Sequence, residues 1–148
     1  FMRLLNEYIA RKANKEDDCT GRFWEGRFKS QSLLDEAALA ACMAYVDLNP
    51  LRVDIAKTPE SSDFTSVKQR IKAAQKGKQP KSLLPFLGSA STKIKGLPFL
   101  LSDYLELVEN TGRQVIANKT GVINHNQSPI LVRTGLQHTD WHNMVLGI

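Results

Sequence analysis

The sequence predicts a mainly α chain with one short β segment, and three patterns carry that expectation. Apolar residues recur at helical spacing in several windows, each bounded by capping residues or by Gly and Pro. One aromatic-rich window, Phe23 to Leu34, alternates as a strand does. Proline and glycine crowd between Leu83 and Pro98 and divide the chain into a leading part, 1–81, and a helical extension, 82–148.

The first helix is read from Phe1, Leu4, Leu5, Tyr8 and Ile9, which share a face while Arg3, Glu7, Arg11 and Lys12 stay off it. Its pattern is already running at Phe1 with no capping residue ahead, so the chain is expected to be part of a longer protein. Asn14 to Gly21 reads as a polar turn, and Phe23, Trp24, Phe28 and Ser30 to Leu34 as the strand. Asp35 is placed to cap a second helix, whose stretch Ala37 to Val46 is apolar nearly all round and is expected to be buried on several sides. Asn49-Pro50 should end it, leaving Tyr45 and Asn49 four residues apart on one face.

Ser62-Asp63 is the next start signal, before a short helix with Phe64, Val67 and Ile71 as its apolar side and Lys68, Arg70, Lys72 and Lys76 on the rest. Ser102 is expected to cap a helix striped by Leu105, Val108, Val115 and Ile116. Two short helices close the reading, at Pro129 to Gly135 and at Asp140 to Leu146.

Composition excludes several classes. With 148 residues, 42% hydrophobic and 24% charged, the chain is neither a low-complexity segment nor a disulfide-stapled miniprotein, and Cys19 and Cys42 read as reduced thiols. Its longest apolar run is half of the roughly 20 residues a bilayer span needs, so a soluble, cytoplasmic protein without a membrane partner is expected. The net charge of +5 is concentrated: Lys57 to Lys81 holds 7 Lys/Arg against 2 Asp/Glu, which suits a polyanion such as nucleic acid as well as it suits a solvated helix. No Gly-rich phosphate loop or Ser-His-Asp elbow appears, and His138 and His142, four apart, lack the glutamate and thiolates of a zinc site.

Two segments carry more. Gly21-Arg22-Phe23-Trp24-Glu25-Gly26-Arg27-Phe28-Lys29-Ser30 and Ala44-Tyr45-Val46-Asp47-Leu48-Asn49-Pro50-Leu51-Arg52, in that order, resemble the W-x-x-R-[FY]-K-S strand and the Y-[IV]-x-L-N-P-x-R helix end of the single-tyrosine HUH transposases, in the branch similar to REP-associated tyrosine transposases. The resemblance spans about Phe1 to Ser66. It implies the C-terminal part of an α+β HUH fold and a DNA strand-transfer enzyme. Tyr45 would be the nucleophile that forms a 5′-phosphotyrosine link, and Asn49 a ligand to Mg²⁺ or Mn²⁺. Arg22, Trp24, Arg27, Lys29 and Arg52 would be DNA contacts. A phenol ionises near pH 10, so such a nucleophile needs a polarised phosphate.

The partner implied is DNA, single-stranded or hairpin, with a homodimer allowed. The family's His-hydrophobe-His motif is missing, which leads to the expectation of a C-terminal fragment that is inactive and metal-free alone. Against this stands a binding-only reading, in which the basic segment grips nucleic acid and Tyr45 is structural. For Tyr45 the plain alternative is a core aromatic, and for Arg52 it is a cap on helix carbonyls.

Overall fold

The computed structural model describes residues 1–88 and 95–136, and they are mainly helical. The expected helix at Asp140 to Leu146, with His138 and His142, lies outside the described residues. The chain forms two compact units, Phe1–Leu33 and Leu34–Ile148. The boundary expected after Lys81 lies inside the second unit, whose core draws on residues either side of it.

The first unit is helix α1 (Met2–Glu16) followed by irregular chain. Its apolar residues Leu4, Leu5, Tyr8 and Ile9 are exposed, and no α1 residue is buried. Two i,i+4 ion pairs, Glu7 with Arg11 and Lys12 with Glu16, add the few tenths of a kcal/mol such exposed pairs contribute, roughly 0.3–0.5 each. The expected strand over Phe23 to Leu34 is not formed. A strand exists through its ladder, and no neighbouring strand is present among the described residues to accept these amides. The sole β pairing among them is an isolated parallel bridge between Phe86 and Leu97.

In the second unit, α2 (Glu36–Asp47) starts as its sequence requires, with the Asp35 carboxylate accepting from the Ala38 amide at 2.6 Å. It is not buried on several sides. Ala44 and Asp47 are its buried residues, while Cys42, Tyr45 and Val46 are exposed. Nor does Pro50 end the helical path. After Leu48 the chain continues as α3 (Asn49–Arg52), because proline in the first turn lacks only an amide that would have no partner there. A one-turn 3-10 helix, Pro59–Ser61, leads to α4 (Ser66–Ala74), capped by Thr65 rather than by Ser62 or Asp63. Helix α5 (Leu101–Gly112) has no side-chain cap, and Ser102 lies inside its first turn. Val115 and Ile116, expected on its apolar stripe, fall beyond its end and are exposed. Helix α6 (Ile130–Thr134) stops at Gly135, whose φ of 71° is one glycine adopts readily.

Leu48, Leu51, Val67, Ile71, Leu105 and Val108 form the centre of the core, with Phe86, Ile123 and Ile130 around them. Phe86 meets the Tyr104 ring edge-on at 5.4 Å between centroids, and the Arg70 guanidinium lies 3.8 Å above the Phe86 ring. Arg70, expected on the surface, is therefore buried, its Nη1 donating to the Leu84 carbonyl. Burial lowers its pKa, against the raising influence of Tyr104 and Asp47.

An ion network ties three elements together. From α6, Arg133 donates to Glu60 of the 3-10 helix at 2.6 and 3.1 Å and to Glu109 of α5 at 3.0 Å from each terminal nitrogen. Arg113 bonds Glu109 as well. Burial alone would raise the Glu60 carboxyl; hydrogen bonding and the charge of Arg133 outweigh it and hold the group below the ordinary carboxylate value. Burial would likewise lower Arg133, and the two carboxylates override it and raise its pKa.

Candidate functional site

The end of α2 gathers the chemistry. Tyr45 is 64% exposed on a helix otherwise rich in alanine, so within the described residues it is not a core aromatic. Asn49 follows one helical turn later and is also exposed. The two side chains lie on one side of the α2–α3 path, as their spacing requires. Asn49 and Val46 line an open groove of about 440 Å³ together with Met43, Pro50 and Phe64.

Behind this face sits a residue that the sequence reading passed over. Asp47 points inward and is 2% exposed. Its Oδ1 accepts from the Ser66 amide at 2.9 Å, and its Oδ2 from the Ser66 hydroxyl at 2.8 Å and the Tyr104 hydroxyl at 2.7 Å. A carboxylate at the first turn of α4 satisfies an amide that has no partner within the helix and complements the helix dipole. One side chain thus joins α2 to α4 and α5 and fixes the helix turn that carries Tyr45 and Asn49. The signal for it in the sequence was a lone acid between two apolar residues, Val46 and Leu48, at a helix end.

Tyr45 and Tyr104 differ sharply in setting. Tyr104 is buried, and desolvation, reinforced by the neighbouring Asp47 charge, pushes its hydroxyl well above the ordinary phenol value. It serves as a hydrogen-bond donor in the core, whereas Tyr45 stands in solvent.

Arg52, expected to touch DNA or to cap carbonyls, does the second. It is 5% exposed, with Nη1 donating to the Gln114 carbonyl at 2.7 Å and the Gly121 carbonyl at 3.3 Å, and Nη2 to the Thr111 carbonyl at 2.5 Å. These carbonyls belong to the end of α5 and the chain after it, so the guanidinium clamps that turn against α3. Desolvation lowers its pKa. Replacing Arg52 by Met, which keeps much of the length but none of the donors, should cost about 2–3 kcal/mol, because buried carbonyls lose charged donors. Thermal unfolding of the variant would read it; an unchanged Tm would mean the three bonds contribute nothing net.

Arg22, Trp24, Arg27 and Lys29 belong to the first unit, on its irregular segment, and all are exposed. The Trp24 indole N–H donates to the Asn6 carbonyl at 3.0 Å, and its ring meets Phe23 edge-on at 4.8 Å. Its polar edge is thereby satisfied by α1 while part of the ring faces water.

Among the described residues no three His, Cys, Asp or Glu side chains converge as a metal site would require. Asn49 alone offers one neutral oxygen to a cation that takes six or more ligands, so the residues described do not make up a site for Mg²⁺ or Mn²⁺. A second hollow, of about 470 Å³, is lined by Phe99, Leu100 and Leu107 with the carboxylates of Glu36 and Asp103, and that charge is the wrong sign for a phosphate. No helix among the described residues is long and apolar enough to cross a membrane. Comparison with known proteins adds no relative: no family model, curated protein or solved structure matches this chain.

Proposed function

We propose that this chain carries the tyrosine helix of a DNA strand-transfer enzyme of the single-tyrosine HUH transposase kind, acting on single-stranded or hairpin DNA in the cytoplasm. The observation that carries the reading is the exposure of Tyr45 on a small-residue helix, with Asn49 exposed one turn on and Asp47 anchoring the turn from behind. Nothing in the packing of the second unit calls for an aromatic at that position, and the motif resemblance supplies a role for it.

In the proposed step the Tyr45 oxygen bonds to phosphorus, the phosphorus bond to the 3′ oxygen breaks, and the phenolic proton is lost as the leaving 3′ oxygen gains one. The product is a 5′-phosphotyrosine and a free 3′ hydroxyl. What this chain contributes is placement: a nucleophile held on a rigid turn avoids much of the entropic cost of a bimolecular encounter. The exposed lysines Lys72 and Lys76 support the binding half of the reading through phosphate contacts.

The test incubates the longest available form of the protein with labelled hairpin DNA and Mg²⁺ or Mn²⁺ and follows a denaturation-resistant protein-DNA adduct. The adduct should form there and vanish in the Tyr45→Phe variant while binding persists; the 148 residues alone, whose described part gathers no set of metal ligands, should bind without forming it. Binding that falls with salt, with no adduct from either form, would instead favour a non-catalytic nucleic-acid-binding module resting on the same lysines.

A further inference from the structure

Phe64 is fully exposed, and its φ of 60° lies in the left-handed region. Neither fact favours phenylalanine: the residue buries nothing, and a bulky side chain is strained at that backbone angle. Its neighbours hold it there. Ser62 donates its hydroxyl to the Thr58 carbonyl at 3.0 Å, Thr65 donates to the Ser62 carbonyl at 2.7 Å, and the Ser66 amide is fixed by Asp47. The ring is thus presented to solvent by a loop determined on both sides.

What surrounds the ring indicates what would meet it. Phe64 lines the same groove as Asn49 and Val46, and Asn49 lies one helical turn after Tyr45. Following it at four-residue intervals come Lys68, Lys72 and Lys76, a basic ridge along α4 and just past its end. Of the two acids that line the groove, Asp63 is paired with Lys68 and Asp47 is turned inward onto Ser66 and Tyr104. An exposed aromatic with cations at a regular interval beyond it fits a chain of flat rings linked by phosphates.

We propose that Phe64 is a stacking platform for an unpaired base of single-stranded DNA, with Lys72 and Lys76 holding the adjoining backbone, so that the strand is led to the face that carries Tyr45 and Asn49. The proposal rests on the DNA reading above and names the residue that would distinguish single strands from duplex.

The test measures binding of fluorescent oligothymidine and of a duplex at low salt for the native chain, Phe64→Asn and Phe64→Trp, with thermal unfolding of each. Asparagine accepts the left-handed angle, so Phe64→Asn should unfold at the same or a higher temperature yet bind the single strand about tenfold more weakly. Phe64→Trp should bind at least as tightly as the native chain, and duplex binding should not change. A residue serving only the fold would not separate stability from binding in this way.

Equal single-strand affinity in all three proteins would overturn the stacking role and leave the DNA reading standing. Loss of binding in Phe64→Trp as well would overturn it too, since a larger ring should stack better. If the native chain binds hairpin DNA but no oligothymidine, the stacking role falls and the DNA reading stands; if it binds neither, both fall. A self-association of the native chain that Phe64→Asn abolishes, without any DNA effect, would assign the ring to a protein contact instead.

Discussion

Replacing Arg133 by alanine should destabilise the second unit by about 3–5 kcal/mol, the range for removing one partner of a buried ion pair. The reason lies in what remains. Glu109 is 4% exposed and keeps Arg113, but Glu60 loses its guanidinium altogether while staying half-buried. The pH dependence then changes sign. In the native chain the Glu60 carboxyl is held below its unfolded value, so its contribution is present above about pH 4.3 and is lost as pH falls through the lower folded value. In Arg133→Ala the carboxyl is desolvated without a counter-charge, its folded pKa rises above the unfolded one, and acidification recovers stability. Denaturant melts at neutral pH and near pH 5 would read both effects, and the gap between native and variant should narrow at the lower pH. A gap that widened would place the main charge balance elsewhere than in this network. Adding Glu60→Gln to the Arg133 variant should restore part of the loss at neutral pH, since a neutral amide replaces the stranded charge.

Gly121→Ala should unfold the same unit by upwards of about 3 kcal/mol, beyond the ordinary cost of overpacking, with a fall in Tm on the order of 10 °C. A Cβ there would lie 1.5 Å from the Leu51 carbonyl oxygen and 2.6 Å from its carbon. Those are backbone atoms of α3, so no side chain can swing aside. The crossing is also tied by hydrogen bonds, the Gly121 amide donating to the Arg52 carbonyl and the Gly121 carbonyl accepting from the Arg52 guanidinium, each at 3.3 Å. Moving the chain outward to admit a methyl group would therefore pull the Arg52 clamp apart as well. Thermal unfolding followed by circular dichroism checks it. A Tm within a degree or two of the native value would mean that the chain after α5 is not held this closely to α3.

Local and long-range information are separate in this chain. Helix positions were readable wherever periodicity and a cap coincided. Asp35 before an alanine-rich run, and Ile130 followed by Gly135, lie where the structure has a helix start and a helix end. Such signals are local, since a cap and its first turn are neighbours in the chain. The strand over Phe23 to Leu34 failed for the complementary reason. Its alternation is a local pattern, but a strand is completed by amides from elsewhere, and none are offered among the described residues. The expectation that α2 would be buried on several sides erred in the same way, because apolar composition does not say which neighbours arrive.

Of the candidate site, the sequence by itself determined the spacing: Tyr45 and Asn49 one turn apart at the end of a helix, and a basic run beyond Lys57. Tertiary structure alone decided how each group is used. It turned Tyr45 to solvent and Tyr104 into the core, and it sealed Arg52 and Arg70 among carbonyls and a ring. It also made Asp47 the post on which three helices meet. The physical reason is that exposure and partners are set by which elements pack together. A charged side chain beside a helix end reads the same in sequence whether its partner is water, phosphate or a carbonyl 62 residues away.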